Sequence, residues 1–304
     1  MPIRIDKLED LAGQEGSLHL ALGVFDGVHI GHQAVIARAV DAARERGGKS
    51  FVVTFSPHPI RVIAPGKAPS SLLATLDDKA ELLKSHGIAG LLVIHFDEAF
   101  AEMDAADFVR KICAGNVATI AVGEDWRFGS QRLGDVGMLR KMSMELGFRL
   151  ESVAPVMWDG ERISSTRVRQ AIRDGNFDAV LQMLGRAYEI SGVVIEGRKL
   201  GRELGFPTAN LRTGDQQVPR DGVWAVEVDG HLKGVANLGT RPTVGEGERL
   251  LEVHIFDYSG DLYGKTLKVR FDKFLREERK FDSVDELRAQ IGLDVAAATS
   301  ELSS

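Results

Sequence analysis

The sequence has only one cysteine, Cys113, among its 304 residues. A lone cysteine excludes both an intrachain disulfide and a zinc site built from several cysteines. Long hydrophobic runs are absent as well, since the longest, such as residues 89–94, are far too short to cross a bilayer. Residues 1–6 also lack the apolar core of a signal peptide. These absences predict a cytoplasmic protein with no membrane partner.

Positive charge is also scarce, because 38 lysines and arginines stand against 44 acidic residues and give a net charge of −6. This balance argues against duplex nucleic acid or an anionic membrane as the main partner. Small phosphorylated ligands stay open to the protein, since they need only local positive charge. The length and the 44% hydrophobic content are typical of two globular domains, each able to bury a core. The sequence leaves the oligomeric state open.

A glycine-rich stretch at residues 23–32, GVFDGVHIGH, organises the first half of the chain. The apolar run at 18–22 predicts a short buried strand before it, and the pattern after it predicts a helix. The start of a helix presents unpaired backbone N–H groups and a partial positive charge, which suit a phosphate. The stretch is not the common nucleotide-binding loop, because no Gly-Lys-Ser/Thr ends it.

Two histidines, His29 and His32, lie three positions apart and therefore on one side of the first helical turn. Gly31 between them has no side chain, so a ligand can approach the backbone there. Two donors beside oriented amides can hold the charge that develops on a phosphoryl group under attack. Alternatively, one histidine caps the helix, the other is a buried polar filler, and the glycines only allow close packing. The complete decapeptide favours the functional interpretation. It resembles the nucleotidyltransferase superfamily, whose members transfer a nucleotide from a triphosphate and release pyrophosphate.

Strands and helices alternate through the rest of the first half, which predicts a doubly wound parallel sheet. The predicted strands lie at 50–55, 91–94, 117–122 and within 146–155, and the predicted helices at 76–86 and 105–113. Ligands bind such sheets at the carboxyl ends of the strands. His58 lies in a proline-stiffened loop at one such end, and Arg127 and Arg132 lie in the loop after another. These side chains are candidates for phosphate contact, and solvated loop residues are the alternative.

A hydroxyl-rich helix start follows at residues 163–169, ISSTRVR. Serine and threonine are preferred helix caps, which is a sufficient structural reason for Ser165 and Thr166. Arg167 and Arg169, however, place two cations near the positive end of the helix dipole, where acidic residues are normally favoured. This placement favours a bound phosphate.

The second half of the chain changes to short strands with turn signals and no crossover helices. Two short helices, ending near Gly175 and Gly185, form the expected connector. Strands are predicted at 193–195, 223–228, 232–238, 250–256 and 266–271, and a last helix is predicted to begin at Ser283. This pattern predicts an antiparallel barrel or sandwich. We therefore expect two domains, residues 1–185 and 186–304.

Residues 197–210, GRKLGRELGFPTAN, form a predicted flexible loop whose basic residues suit a polyphosphate. In an extended segment Thr208 and Asn210 point the same way. A hydroxyl and an amide oxygen are hard ligands, and magnesium takes only a few of its ligands from protein. The alternative is a polar turn in which both side chains are hydrogen-bonded.

The order of these motifs resembles the family of bacterial bifunctional riboflavin kinase/FMN adenylyltransferases, also called FAD synthetases, over almost the whole chain. Four segments resemble the adenylyltransferase half of the family: residues 23–32, 54–59, 123–129 and 163–166. Similar to the riboflavin kinase half are residues 197–210, 251–254, 261–265 and 274–278. Small departures occur at Ala187, Trp126 and Trp224, where the family more often has proline, phenylalanine and tyrosine.

The resemblance implies an α/β domain followed by a β domain: an N-terminal doubly wound parallel-sheet nucleotidyltransferase domain and a C-terminal antiparallel β-barrel riboflavin kinase domain. It implies that ATP, the co-substrate, acts with Mg²⁺ to phosphorylate riboflavin to FMN, and that a second ATP adenylylates FMN to FAD with release of pyrophosphate. His29 and His32 would then be catalytic in the adenylyltransferase, and Glu252 would be the general base of the kinase. A cross-strand ion pair is the structural alternative for Glu252.

Further site residues follow from the same resemblance. The implied nucleotide and FMN contacts of the first domain are Gly23, Phe25, Asp26, Gly31, His58, Asp125, Arg127, Ser165, Thr166, Arg167 and Arg169. The implied ATP and flavin contacts of the second domain are Gly197, Lys199, Gly201, Arg202, Gly205, Pro207, Thr208, Asn210 and Arg276. Thr208 and Asn210 would also hold the metal.

Two alternative functions stay open at this point. One is a single adenylyltransferase activity, with the barrel kept as a flavin-binding module. The other is a non-catalytic protein, such as a flavin carrier or an RNA-binding barrel. Candidate chemistry in both halves argues against the carrier. The negative charge, without clustered basic and aromatic residues on the strands, argues against RNA.

Overall fold

The computed structural model of the chain describes residues 2–69, 71–197, 200–240 and 249–303. Contacts between residues divide the chain into two compact units, Met1–Ser165 and Thr166–Ser304. This division falls before the domain boundary expected at 185/186, which stays a prediction. Within the described ranges, no helix combines the length and the apolar character that crossing a membrane requires.

The first unit alternates strands with helices. Its strands are β1 (Ile3–Ile5), β2 (Leu18–Leu22), β3 (Lys49–Ser56), β4 (Gly90–His95), β5 (Val117–Gly123), β6 (Arg149–Val153), β7 (Met157–Trp158) and β8 (Glu161–Arg162). Its α-helices are α1 (Ile30–Arg46), α2 (Pro59–Ile63), α3 (Leu76–Ser85), α4 (Glu98–Ala101), α5 (Ala105–Ile112) and α6 (Val136–Leu146). Short 3₁₀ helices lie at Leu8–Leu11, Pro65–Lys67 and Ser130–Arg132.

The longer strands form one parallel sheet in the order β1-β4-β3-β2-β5-β6. The doubly wound parallel sheet expected from the sequence is therefore confirmed. Strand β2 lies inside the sheet, with β3 on one side and β5 on the other, so the direction of winding reverses beside it. Ligands of such sheets bind at the carboxyl ends of the strands next to this reversal.

Two apolar layers cover the two faces of the sheet, because successive side chains of a strand point to opposite faces. Leu20 and Leu22 of β2 belong to one layer, and Ala21 between them belongs to the other. The second layer includes Val35 and Ile36 of α1. Strands buried on both faces carry apolar residues at nearly every position, and the sequence predicts them for that reason.

Several short elements of this unit depart from the sequence-based expectation. The sequence pattern predicts no strand before Leu18, but β1 adds an edge strand beside β4. The loop expected around His58 gives way to α2, because proline is favoured in the first helical turn and His58 Nδ1 accepts the backbone N–H of Ile60. Helices α4 and α6 and the β7–β8 hairpin are also absent from the prediction.

The second unit contains α7, which begins at the boundary (Ser165–Arg173), α8 (Phe177–Leu184) and a set of antiparallel strands. The strands are β9 (Glu189–Ile195), β10 (Ala209–Arg212), β11 (Gly222–Val228), β12 (Leu232–Thr240), β13 (Arg249–Ile255) and β14 (Thr266–Arg276). Helix α9 (Leu200–Glu203) interrupts the segment expected to be a flexible loop, and α10 (Val284–Glu301) follows the last strand.

These strands close into a barrel in the order β10-β13-β12-β11-β14-β9, with antiparallel neighbours. The expected antiparallel barrel is therefore confirmed. Trp224 of β11 is fully buried and meets Phe271 of β14 edge-on, with ring centroids 5.6 Å apart. The ring of Phe177 from α8 contacts both. On the opposite face of β11, Ala225 packs with Ala298 of α10.

The end of β14 is held to α10 by a two-pronged ion pair. Arg276 Nε and Nη2 donate to the two carboxylate oxygens of Asp294, at 2.8 and 2.7 Å. Gln290 Nε2 donates to the same carboxylate at 2.8 Å. Because Asp294 is almost completely buried, the pair fixes the helix against the outside of the barrel.

We expect Asp294→Ala to lower the unfolding free energy of the barrel by about 3 kcal/mol, because it leaves the partly buried Arg276 guanidinium without its counter-charge. Urea unfolding followed by the fluorescence of Trp224 measures this loss, in a protein whose Trp126 and Trp158 are replaced by phenylalanine. Asp272→Ala removes an exposed carboxylate from the same strand and should change the free energy by less than about 0.5 kcal/mol. Equal losses in the two variants would contradict this account of the ion pair.

Candidate active sites

The loop between β2 and α1 turns through left-handed backbone. Phe25, Gly27 and Val28 have φ angles of 52°, 77° and 44°. Glycine adopts this region freely, but a β-branched residue such as Val28 does so only under strain. Such strain persists where the surrounding structure holds it, and it is concentrated at functional sites.

Hydrogen bonds from neighbouring elements hold the loop in this shape. The carbonyl of Val24 accepts from Thr54 Oγ1 at 2.8 Å and from Lys79 Nζ at 2.9 Å. Asp26 Oδ1 accepts the backbone N–H of Leu73 at 3.0 Å. Asp26 is expected from the resemblance to contact a nucleotide or FMN, and in the structure it is buried and supports the loop.

The loop delivers His29 and His32 to the start of α1. His29 is the helix cap, because its Nδ1 accepts the backbone N–H of His32 at 3.2 Å. The two rings are stacked, with centroids 3.5 Å apart and planes 16° apart. A Cβ at Gly31 would lie 3.1 Å from the His29 ring, so the glycine permits this close packing. The capping alternative is thus right for His29, and it also brings both imidazoles to one place.

The surroundings of His32 favour an anion. Its Nδ1 is buried and has no hydrogen-bond partner among the residues that the structure describes. Burial, and then the neighbouring His29, Lys79 and Arg162, lower the pKa of His32 well below its usual value. His32 is therefore neutral at pH 7. The same groups that oppose its protonation would stabilise a negatively charged phosphate.

Both histidines line a cleft of about 960 Å³ in the first unit. The expected site residues that line it are Gly23, Phe25, His29, Gly31, His32, His58, Asp125 and Arg127, together with Arg132. These residues come from loops at the carboxyl ends of β2, β3 and β5. The structure therefore brings together most of the candidates that the sequence predicts for this unit.

One wall of the cleft is aromatic. It consists of Phe55, Phe96, Phe100, Phe108, Trp126 and Phe128. Trp126 and Phe128 are stacked, with centroids 4.5 Å apart and planes 17° apart. The other neighbouring rings meet edge-on or tilted at centroid distances of 5.5–6.5 Å. Such a wall suits a flat aromatic ring system, and the sequence alone does not predict it because the rings come from separate elements.

Two arginines at the cleft form ion pairs with carboxylates. Arg162 of β8 pairs with Asp125, and Arg127 Nη1 donates to Asp135 Oδ2 at 3.0 Å. The pKa of Asp135 lies below its usual value, chiefly because the carboxylate accepts the backbone N–H of Met138 and also because of Arg127. The sequence predicts that Arg127 faces an anion, and in the structure its anion is Asp135.

Lys79 and Arg162 are functional candidates that the sequence does not single out. Lys79 lies three residues after Leu76 and four before Leu83, on the buried face of α3. Its helical spacing from these apolar residues is the signal that predicts its burial. Arg162 gives no comparable signal, because it lies in a two-residue strand.

The hydroxyl-rich helix start lies at the boundary between the two units. Ser165 Oγ donates to the backbone carbonyl of Asp26 at 3.0 Å. Thr166, Arg167 and Arg169 belong to the second unit by their contacts, and Arg169 is buried. The expected phosphate contacts of these three residues stay predictions.

In the second unit, strand register brings three polar residues into one row. Glu252 of β13 is paired with Asn210 of β10 on one side and with Asn237 of β12 on the other. Directly paired residues of neighbouring strands share a face of the sheet. The next positions, such as Leu211 and Leu251, are completely buried on the opposite face. The sequence does not predict Asn237, because its place in the row depends on the register.

A second carboxylate lies next to this row. Asn237 Nδ2 donates to Glu278 Oε1 at 2.9 Å. Asn237 lies on β12, directly beside Glu252, and its amide therefore links β12 to the segment after β14. Glu278 lies in the 274–278 stretch that resembles a later landmark of the kinases.

Asn210 has the properties of a metal ligand. Its Oδ1 is buried and has no hydrogen-bond partner within the described part of the chain. A buried acceptor without a partner is costly, and a cation would satisfy it. Gly197 lies directly against this amide, since a Cβ there would come within 2.2 Å of Asn210 Nδ2. Any larger residue at 197 would displace the Asn210 side chain.

The segment that carries Thr208 is fixed by His254. The Nδ1–H of His254 donates to the Pro207 carbonyl at 2.8 Å, and the Phe206 ring meets the imidazole edge-on. Among the described residues, no group of three or more His, Cys, Asp or Glu side chains could hold a metal ion. A cation at Thr208 and Asn210 would therefore take its other ligands from phosphate and water, as magnesium commonly does.

The remaining candidates of the second unit differ in placement. Gly201 and Arg202 lie on α9, and Arg202 is exposed. Gly205 follows in the turn before β10. Lys199 lies outside the described residues. Arg276, which the resemblance makes a ligand contact, is paired with Asp294 in the structure.

Two family models match the chain. The model described as FAD synthetase matches residues 12–167, and the model described as Riboflavin kinase matches residues 184–302. The "Bifunctional riboflavin kinase/FMN adenylyltransferase" of Escherichia coli (strain K12) is 43% identical over 293 residues, which cover 94% of this chain and 93% of that protein. The protein of the same name from Bacillus subtilis (strain 168) is 37% identical over 285 residues, covering 90% and 89%.

A solved structure has the same fold over nearly the whole chain. A chain described as a macrolide-efflux protein from Streptococcus pneumoniae is 33% identical, covers 96% of this chain and 97% of its own, and has a TM-score of 0.83. The name of that protein differs from the name of the two sequence relatives, and we do not transfer it to this chain. Its fold is shared with this chain.

We expect the unfolding free energy of the first unit to fall as the pH drops below about 6.5, because the unfolded chain then protonates His32 while the folded state, with its lowered pKa, does not. His32 contributes a slope of at most about 1.4 kcal/mol per pH unit in this window. Unfolding followed by the fluorescence of Trp126 and Trp158, in a protein whose Trp224 is replaced by phenylalanine, measures this slope, which should be smaller in His32→Gln.

His231→Gln is the matched control, because it changes an exposed histidine of the second unit. It should leave the slope as it is in the wild type. A His32→Gln variant with the wild-type slope would contradict the neutral, buried state of His32.

Proposed function

The chain belongs to the family of bifunctional riboflavin kinase/FMN adenylyltransferases, and on that premise we propose how its residues divide the two reactions. We assign adenylyl transfer to the cleft of the first unit and riboflavin phosphorylation to the barrel. The observation that carries this proposal is the stacked pair His29–His32 at the start of α1, where nearby cationic groups favour bound phosphate. We also keep the domain boundary at 185/186 as part of the proposal.

In the first unit, a phosphate oxygen of FMN attacks the α-phosphorus of ATP. The new P–O bond gives FAD, and the bond to the β-phosphate breaks, so that pyrophosphate leaves. His29 and His32 donate to the phosphate oxygens on which charge develops, and the first backbone N–H groups of α1 do the same. No covalent enzyme intermediate is needed.

Other residues of the cleft bind and orient the substrates. The aromatic wall takes the flat ring system of the flavin or the adenine. We propose that His58, Asp125, Arg127, Ser165, Thr166, Arg167 and Arg169 contact the nucleotide or FMN, alongside Gly23, Phe25, Asp26 and Gly31. For Arg127, such contact requires the pair with Asp135 to open.

In the barrel, the 5′-hydroxyl of riboflavin attacks the γ-phosphorus of ATP, and ADP leaves. Glu252 accepts or orients the hydroxyl proton. Thr208 and Asn210 would hold Mg²⁺, which supplies charge neutralisation on the phosphate oxygens when it is bound. The buried, unsatisfied Oδ1 of Asn210 supports this assignment. Positioning supplies most of the rate in such transfers.

The partners of the protein follow from these reactions. We propose riboflavin, FMN and ATP as its small-molecule substrates, and a cytoplasmic location. The net charge of −6 supports small phosphorylated ligands over nucleic acid or membrane. Both family models and the names of the relatives favour two activities over the single adenylyltransferase with a flavin-binding barrel.

Replacing each site separately should remove one activity and spare the other. We expect His29→Asn or His32→Asn to lower FAD formation from supplied FMN about 100-fold or more, because phosphate charge is no longer stabilised. The same variants should phosphorylate riboflavin normally. Glu252→Gln should do the reverse, with a loss of about 100-fold or more in FMN formation from riboflavin. Chromatography of the flavins measures both rates on each variant.

Loss of both activities in any of the three variants would contradict two independent sites. The opposite-site activity of each variant is its own control for folding and concentration. Normal FMN adenylylation by the wild type and by Glu252→Gln, with riboflavin phosphorylation absent from the wild type, would support the single adenylyltransferase with a flavin-binding barrel.

The metal assignment predicts a change in magnesium dependence. We expect Asn210→Leu to raise the Mg²⁺ concentration for half-maximal riboflavin phosphorylation by about 10-fold or more, because the substitution keeps the volume and removes the oxygen ligand. Thr208→Val should act in the same direction, and Thr208→Ser, which keeps the hydroxyl, should restore the wild-type dependence. An unchanged magnesium requirement in both Asn210→Leu and Thr208→Val would overturn the assignment.

A further inference from the structure

Lys79 is a charged side chain in the interior of the first unit. It is only 7% exposed and lies on the face of α3 that carries the buried Leu83. A fully buried lysine is rare and costly unless its ammonium group has partners. Its position therefore requires an explanation that packing alone does not give.

The partners of Lys79 belong to the loop that carries the histidines. Its Nζ donates to the Val24 carbonyl at 2.9 Å and approaches Thr54 Oγ1 at 3.4 Å. Thr54 Oγ1 donates to the same carbonyl at 2.8 Å, so that two donors converge on one acceptor. Val24 directly precedes Phe25, where the backbone enters the left-handed region.

We propose that Lys79 is a positioning residue for adenylyl transfer: its ammonium group anchors the Val24 carbonyl and so fixes the strained loop that sets His29 and His32 against the phosphates of the substrates. This inference rests on the function proposed for the cleft. Lys79 does not touch the reacting atoms, because it lies beneath the loop and is absent from the residues that line the cleft.

The charge of Lys79 is as important as its hydrogen bond. Burial lowers the pKa of Lys79 to about 8, against the opposing effect of the Asp26 carboxylate. The groups that face it are the Val24 carbonyl and Asp26 from the loop, Thr54 from β3, and His32 from α1, whose pKa its charge helps to lower. Lys79 is therefore mostly charged at pH 7 and loses its charge as the pH rises through about 8.

A buried charge of this kind works against stability. In the unfolded chain the lysine keeps its ordinary pKa of 10.5, so the folded state gains stability relative to the unfolded state as the pH rises from about 8 to 10.5. A methionine fills a similar volume without a charge. The thermal stability of Lys79→Met should consequently equal or exceed that of the wild type, while its adenylyltransferase activity falls.

The test compares three variants of the full chain. We expect Lys79→Met to lower kcat for FMN adenylylation about 30-fold or more, with the KM values for FMN and ATP changed by less than about threefold, because displaced catalytic groups cost rate more than binding. Lys84→Met removes an exposed lysine from the same helix and should leave kcat unchanged. Riboflavin phosphorylation by each variant is the control for folding and concentration.

A pH profile separates positioning by the ammonium group from a merely structural role. Wild-type adenylyltransferase activity should decline as the pH rises above about 8, whereas riboflavin phosphorylation by the same protein should show no decline with this pKa. In the Lys79→Arg variant the arginine keeps its charge throughout this pH range. The adenylyltransferase activity of this variant should therefore show no decline near pH 8, even if it is lower than that of the wild type. This second variant decides the matter if Lys79→Met does not fold.

Two results would overturn the proposal. One is a Lys79→Met variant that keeps more than about a third of the wild-type kcat, since the loop would then hold without the ammonium group. The other is a Lys79→Arg variant with the same alkaline decline as the wild type. Failure of the proposed function is distinguishable, because His29→Asn would then adenylylate FMN at the wild-type rate whatever Lys79 does.

Discussion

The first unit depends on a few residues of left-handed backbone between β2 and α1. Phe25, Gly27 and Val28 turn the chain within a very short distance, and the bonds to the Val24 carbonyl and from Leu73 to Asp26 hold that turn. The turn places the start of a helix at the carboxyl end of a central strand, beside the point where the winding of the sheet reverses. The helix dipole and the two imidazoles therefore act on one location, and the nearby cations Lys79 and Arg162 add to the field that favours a phosphate there.

In the barrel, strand pairing rather than a strained loop brings the candidate residues together. Its candidate site is set by register: Asn210, Glu252 and Asn237 share a row because β10, β13 and β12 pair at those positions. A slip of one residue in β13 would turn Glu252 into the apolar interior and bring Leu251 to the outside. The hydrophobic alternation that stabilises the barrel is thus also what fixes the carboxylate and the amides on one face.

The sequence predicts the parts of this structure that follow from local chemistry. Buried strands such as β2, the helix start at His29 and the barrel strands can be recognised from apolar runs, caps and turn residues. The short strand β1 escapes prediction because its stability comes from β4, which is distant in the sequence. The same reason applies to charged side chains: only the structure shows that Arg127 and Arg276 already have carboxylate partners. Lys79 is the instructive exception, since its spacing from Leu76 and Leu83 predicts its burial but not its contact with the Val24 carbonyl.

The central claim is that this one chain converts riboflavin to FAD by two successive transfers. The most direct measurement is a chromatographic time course with the purified protein, riboflavin, ATP and Mg²⁺. The account predicts that FMN rises first, passes through a maximum and declines while FAD accumulates after a lag. FMN that accumulates without any FAD, or the absence of both products even when FMN is supplied, would contradict it.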